Sequence, residues 1–255
     1  EETGELSIQS TPTGARVFLD TTDTGRTTPC VLSKLKAGTH SLRIELENYG
    51  KWEGSVQVVA GQTAEVSATL AGFKFEFVAK WGGPGSGNGQ FNGANCVAVD
   101  SSGNVYVSDT NNHRVQKFNS SGAYLAKFGT GSAGTGDGQL YYPHGLAVDS
   151  AGNVYVGNNL GARVQKFGPN GAFLLKWGSE GSGNGQFSRI DGVAVDSSNN
   201  VYVAADNRVQ KFTSNGVFVT KGGSYGTAKG YFDWTYGIVA PEGDNVYVVD
   251  VRGCR

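Results

Sequence analysis

The sequence predicts an all-β protein: a small β-sandwich over residues 1–70, then a β-propeller of four-stranded blades over residues 73–255. Three observations lead there. One block of sequence recurs three times after Phe73 and begins a fourth time. Before Leu70 apolar residues alternate with polar ones, and no helical period occurs anywhere. Glycine, at 40 residues against 6 prolines, has no collagen period and suits many tight turns between short strands.

In the first segment, Leu42, Ile44 and Leu46 alternate with Arg43, Glu45 and Glu47. Val66, Ala68 and Leu70 are offset by Ser67 and Thr69, and Val17 and Leu19 by Phe18 and Asp20. These are half-buried strands. Turn residues fall at Thr11 to Gly14, Asp23 to Gly25, Ala37-Gly38 and Ala60 to Gln62. About six short strands in so short a segment make a small sandwich. The segment resembles a PEGA domain. Pro12-Thr13-Gly14-Ala15, Val17-Phe18-Leu19-Asp20, Gly25, Thr28-Pro29, Gly38 to Leu42 and Asn48-Tyr49-Gly50 fit that pattern. Thr13 stands where the family's namesake Glu belongs, and Tyr49-Gly50 reverses its usual Gly-Tyr. The resemblance implies a spacer or attachment module of a bacterial or archaeal surface protein. Only Ala71-Gly72 separates the two domains, so limited relative motion is expected.

In the second segment Val-Tyr-Val recurs at Val105, Val154, Val201 and Val246, at spacings of 49, 47 and 45 residues. Such periods point to propellers or solenoids. Gly-Gln-Phe or Gly-Gln-Leu stands at Gly89, Gly138 and Gly185, with a weaker Gly230-Tyr231-Phe232. First strands follow at Val97, Leu146 and Val193, each ending in Asp (Asp100, Asp149, Asp196). Arg-Val-Gln-Lys-Phe opens at Arg114, Arg163 and Arg208, and fourth strands end at Phe128, Trp177 and Lys221. Val-Tyr-Val is bulky and apolar on both faces. A sheet with one solvated face would alternate instead, so both faces are buried, as in radially stacked blades. This block resembles the NHL repeat, in three complete blades plus partial ones. The resemblance implies a propeller, usually of six blades. Phe75 to Gly82 matches only a fourth strand, and Tyr236 to Asp250 only the first two. The expectation is a ring that continues beyond Arg255. A four-bladed ring, with Cys96 and Cys254 on one face of adjacent blades, is the alternative.

Composition narrows the function. Net charge is −1, and no Lys/Arg run stands out, so no nucleic-acid partner is expected. No apolar stretch approaches the roughly 18 residues of a membrane span. The chain starts at Glu1 and lacks Met, as a processed secreted product or a fragment would. Cys30, Cys96 and Cys254 are too few for a disulfide scaffold or a zinc site, and their pairing is open.

Several repeat positions invite a chemical reading. Gly83 to Gly89 imitates a phosphate loop, but a strand follows where a helix should, so an inter-blade linker is expected. Asp100, Asp149 and Asp196 suit calcium. Each also begins a tight turn, where a carboxylate bonds the next backbone amides, and that role is preferred. Asp109/Arg114, Asn158/Arg163 and Asp206/Arg208 bracket the turn after the second strand, where a bidentate pair would fix it. A phosphate-binding arginine ring is the competing reading. The position just before the first strand differs in every blade: Asn95, His144, Asp191 and Tyr236. These are the candidate binding residues, expected to converge on the channel mouth.

No catalytic residue, metal site or cofactor is assigned. With only His40, His113 and His144, no zinc triad can form, and no nucleophile elbow or Cys–His dyad occurs. The expected function is that of a non-catalytic extracellular or cell-surface scaffold. It would bind a surface protein or glycan and self-assemble into a layer or filament. The alternative is a propeller lyase or hydrolase with its site at the channel mouth. RNA binding, known for some NHL-like propellers, is disfavoured by the missing basic face.

Overall fold

The computed structural model describes residues 2–72, 77–241 and 245–252. The chain divides into two compact units, Glu1–Val78 and Ala79–Arg255.

Seven strands build the first unit: β1 (Thr3–Thr11), β2 (Arg16–Leu19), β3 (Thr22–Thr27), β4 (Cys30–Lys36), β5 (Gly38–Glu45), β6 (Trp52–Val58) and β7 (Thr63–Thr69). They form two sheets, ordered β4-β1-β7 and β3-β2-β5-β6. β1 runs antiparallel to β4 and parallel to β7. The inward residues Leu6, Ile8, Val17, Leu42, Ile44 and Leu70 make one apolar core. Phe18 lies outside that core. It is covered by the guanidinium groups of Arg43 and Arg16, 4.0 and 5.3 Å from its ring centre.

The second unit opens with a two-residue parallel clip, β8 (Gly83–Pro84) with β9 (Gln90–Phe91). Blade A is β10 (Ala94–Val99), β11 (Val105–Asp109), β12 (Arg114–Phe118) and β13 (Tyr124–Phe128). Blade B is β14 (Pro143–Val148), β15 (Val154–Asn158), β16 (Arg163–Phe167) and β17 (Phe173–Trp177). A second parallel clip, β18 (Ser179–Glu180) with β19 (Gln186–Phe187), leads to blade C. Blade C is β20 (Ile190–Val195), β21 (Val201–Ala205), β22 (Arg208–Phe212) and β23 (Phe218–Gly222). β24 (Thr235–Val239) and β25 (Tyr247–Asp250) form the described part of blade D. Each complete blade is an antiparallel sheet in sequence order.

The blades stack face to face, which explains the two-sided apolar strands. Leu146 of blade B joins Tyr106, Val115 and Phe128 of blade A. Val193 of blade C joins Tyr155 and Val164 of blade B. Ile238 of blade D joins Tyr202 and Ala204 of blade C. The first strands approach so closely that side chains are excluded at two points. A Cβ on Gly145 would lie 2.6 Å from the Val193 amide nitrogen, and one on Gly192 2.6 Å from the Tyr236 carbonyl oxygen.

One expected element differs. Phe77 to Trp81 is not a strand, and Phe75 lies outside the described residues, as do Cys254 and Arg255. A fourth strand exists by pairing with a third, and the described residues offer none to this segment. Trp81 nevertheless packs on Gly122, as Trp177 packs on Gly216 in blade C.

Candidate functional site

Much of the repeat is framework. The Asp100 carboxylate accepts hydrogen bonds from the Ser102 and Asn104 amides, the Asn104 side chain and the Tyr106 hydroxyl. Lys117 Nζ lies 3.7 Å from it and 4.9 Å from the Tyr106 ring centre. Asp149 with Tyr155 and Lys166, and Asp196 with Tyr202 and Lys211, repeat the arrangement. Burial would raise the Asp100 and Asp196 carboxyls, but these hydrogen bonds outweigh it and hold both below the usual range. Burial and then the adjacent carboxylate push the Tyr106 and Tyr155 phenols upward. The aspartates close turns, as preferred.

The arginines clamp the glycine-rich loops. Arg114 Nη2 donates to the Gly87 and Gln90 carbonyls at 2.7 and 2.9 Å. Arg163 does so to Gly134 and Gln139, and Arg208 to Gln186. The glutamine two residues on accepts from Gly89, Gly138 or Gly185 in turn. The expected bidentate Asp–Arg pair is corrected to a single bond, Arg114 Nε to Asp109 Oδ2 at 2.8 Å, because the other arm serves the loop. The third pair, Asp206 with Arg208, forms from the turn rather than the ladder, where Ala205 faces Arg208. Asp206 sits in the following turn at φ 52°, with its carboxylate 3.7 Å from Arg208. With their Nη2 arms spent on carbonyls, these guanidiniums do not form a phosphate ring.

The variable positions lie at the inner ends of the blades. Asn95 Nδ2 donates to the Tyr236 hydroxyl at 3.1 Å, joining blades A and D. Asn95, Asp191 and Tyr236 line one cavity of about 660 Å³ with Val97, Val99 and Val195. Asp191 is buried and accepts from Arg189 Nε and Nη2 at 3.2 and 3.1 Å, and from Asn159 Nδ2 at 3.2 Å. Burial raises its carboxyl, and Arg189 opposes the rise. His144 is half-buried outside the lining, and its Nδ1 is buried without a partner. Burial, then the charge of Arg189, lowers its pKa, so the ring is neutral at neutral pH.

A second variable position escaped the sequence reading. Arg189 stands two residues before Asp191, and Gly93, Tyr142 and Trp234 are its counterparts. The guanidiniums of Arg189 and Arg252 lie 4.1 and 4.4 Å from the Trp234 ring. With Asp206, Asp233 and Thr235 they line a cavity of about 490 Å³. Thr235 is 1% exposed, and its Oγ1 has no partner there. The signal lay in plain sight, since this position also differs in every blade. Among the described residues no group of three His, Cys, Asp or Glu could hold a metal ion.

A small sandwich followed by radially stacked four-stranded blades defines a β-propeller protein with an added β-domain. Residues 3–72 match the PEGA domain, and residues 91–118 and 140–167 match the NHL repeat. The chain joins a PEGA domain to NHL repeats. No curated protein matches it in sequence. Among solved structures, a protein of unknown function from Bacteroides thetaiotaomicron is similar at 15% identity and TM-score 0.50, over 88% of this chain and 54% of that one. Virginiamycin B lyase from Staphylococcus aureus aligns at 13% identity and TM-score 0.49, over 98% and 68%. A streptogramin B lyase structure does so at 13% and 0.49, over 84% of this chain and 59% of its own. The chain thus spans less than two thirds of that lyase. These likenesses concern the fold alone.

Proposed function

We propose that the protein is a non-catalytic binding protein of the cell surface or extracellular space. The propeller offers its channel mouth as the binding platform, and the PEGA domain spaces or attaches it. The observation that carries this reading is the contrast between uniform framework and variable mouth. Blades repeat their latch and clamp residues, yet Asn95, Asp191, Tyr236, Arg189 and Trp234 differ from blade to blade and gather at the inner strand ends. The NHL repeats and the PEGA domain support a binding or surface-type role. PEGA domains are typical of periplasmic or extracellular proteins, and no described helix is long and apolar enough to cross a membrane. The Asp191 carboxylate is held by Arg189 and Asn159, which suits a fixed recognition surface better than a proton shuttle.

The partner is a surface protein or glycan, and self-association into a layer or filament belongs to the same reading. Near-zero net charge favours it by weakening colloidal repulsion. The test is an array of surface glycans and peptides probed with the wild type and with Asp191→Ala and Tyr236→Ala. Ligands retained by the wild type and lost by both variants support the mouth. Ligands held equally by all three overturn it. Turnover in a substrate screen that vanishes on changing His144 or Asp191 replaces this reading with the enzymatic one.

A further inference from the structure

The crevices between blades are not filled alike on the face where the first strands begin. Four residues separate Asp109 from Arg114 in blade A, and two separate Ala205 from Arg208 in blade C. The longer turn of blade A carries His113 onto Tyr141 and Tyr142 of blade B, with ring centres 5.9 and 4.9 Å apart. Trp234 of blade D stands where Tyr142 stands in blade B, and the shorter turn of blade C has no counterpart of His113 to cover it. The cavity of about 490 Å³ lies there instead, within the range of about 300–1,000 Å³ usual for small-ligand sites. Its wall is polar where the other blades are apolar. Ala94, Pro143 and Ile190 hold the position that Thr235 holds in blade D. Thr235 lines the cavity, is 1% exposed, and has no partner for its Oγ1 among the described residues. A buried hydroxyl without a partner carries a desolvation cost that an apolar residue avoids, so this one calls for a bond that a ligand completes.

We propose that this cavity between blades C and D binds a neutral saccharide unit of a surface glycan. The lining selects that chemistry by what it excludes. The guanidiniums of Arg189 and Arg252 lie 4.1 and 4.4 Å from the Trp234 ring, so a cationic ligand would share the ring with two like charges. Asp191, Asp206 and Asp233 line the same space, so an anionic ligand would meet three carboxylates. A ring of uncharged hydroxyls meets neither penalty, and it needs donors and acceptors side by side, which the lining supplies. The Asp191 carboxylate is already held by Arg189 and Asn159, and the Asp206 carboxylate by Ser188 and the Arg189 amide. The Asp233 carboxylate accepts no hydrogen bond among the described residues and is left for ligand hydroxyls. Asn207 Nδ2 fixes its loop by donating to the Phe232 carbonyl at 3.2 Å and to the Asp233 carbonyl. At the rim, Tyr225 is 75% exposed and offers an aromatic face to the C–H side of a sugar ring. The site rests on the reading of the mouth as a binding platform, and it narrows the partner to a glycan.

The experiment is isothermal titration of the 255-residue chain with maltose, lactose, mannobiose and diacetylchitobiose, each to about 10 mM, a concentration that populates contacts of millimolar affinity. Glucuronic acid and glucosamine serve as the anionic and cationic probes. At least one neutral sugar is expected to bind, and neither charged one. Thr235→Val should weaken that binding about tenfold, the scale of one lost hydrogen bond. It should also raise the denaturation midpoint of the free protein, because it removes the stranded hydroxyl. A hydroxyl with a purely structural role would lower the midpoint when removed, and that result overturns the proposal. Asp233→Asn should weaken the sugar by a similar factor and leave the midpoint in place. Binding of no neutral sugar overturns the proposal, as does tighter binding of either charged probe or sugar binding that survives both substitutions. Sugar binding lost in Tyr236→Ala but kept in Thr235→Val overturns the crevice and keeps the mouth. A chain that binds no sugar yet retains surface peptides overturns the saccharide site alone and leaves the binding platform standing.

Discussion

Blades A and B carry the same arginine against different partners. In blade A, Asp109 is fully buried and accepts from Arg114 Nε at 2.8 Å, the Asn92 amide at 2.7 Å and Gln116 Nε2 at 3.2 Å. In blade B the matching residue is Asn158, and both its Nδ2 and Arg163 Nε are buried without partners. Its amide oxygen turns to the Tyr141 amide at 3.4 Å, and burial lowers the Arg163 pKa. Blade C has Ala205 at this ladder position, and the next residue, Asp206, supplies the acid, accepting from the Ser188 amide at 2.8 Å and lying 3.7 Å from Arg208. What all three share is the other arm of the arginine, on the carbonyls of the glycine-rich loop. The clamp on the loop is the common device, and the acid partner is an addition that blade A has and blade B lacks.

The sharpest way to break this comparison is Asp109→Ala. It strands a buried guanidinium and frees the Asn92 amide, and it should cost about 3–5 kcal/mol in denaturant unfolding of the propeller. A loss under about 1 kcal/mol would mean that Asp109 adds nothing to the clamp. The converse, Asn158→Asp, gives Arg163 Nε its missing acceptor and removes a stranded Nδ2. It should stabilise by about 1.5 kcal/mol, read as a raised denaturation midpoint.

The sequence made the blades legible because a strand buried on both faces leaves a pattern that period-two alternation cannot produce, and Val105, Val154 and Val201 repeat it in register. It also made the aspartate turns legible, since Asp100 and Asn104 are close in the chain. The clamp was hidden because its partners are 22 to 29 residues apart and meet carbonyls, which no side chain announces. The third acid was legible as well: Asp206 pairs with Arg208 from the turn, although only the ladder reveals that Ala205 is the residue directly opposite. At the mouth, Asn95, His144, Asp191 and Tyr236 were readable as a variable position. Arg189 and Trp234 stand at a second variable position, but their meeting was not readable, because a cation–π contact between blades depends on curvature rather than spacing.

A gentler contrast separates blades B and D. Tyr155 is buried and donates to Asp149 at 3.1 Å, while Tyr247 is exposed and the residue at the aspartate position is Pro241. Tyr155→Phe should lose about 1 kcal/mol, and Tyr247→Phe close to nothing. Equal losses in the same unfolding assay would show that Tyr247 makes a comparable bond.

The smallest effect extends the comparison to an ion pair near solvent. His40 Nδ1 lies 2.6 Å from Asp20 Oδ2, and Nε2 lies 2.8 Å from the Lys36 carbonyl oxygen. Both partners are acceptors, so both ring nitrogens must donate, and the ring is held as the imidazolium. The Lys36 carbonyl, then Asp20, raises the His40 pKa above 6.5, and His40 with the Ser41 amide lowers Asp20 below 3.8. The raised histidine contributes stability that is whole below 6.5 and fades as pH rises through its folded value. The lowered aspartate contributes above 3.8 and fades as pH falls through its own. The pair therefore acts fully between pH 3.8 and 6.5. With Asp20 half-exposed, screening limits it to about 0.5 kcal/mol, far below the buried Asp109–Arg114 pair. His40→Gln should flatten the decline of PEGA-domain stability above pH 6.5 and leave the propeller transition unmoved. A slope that survives the substitution would assign the titration to another group.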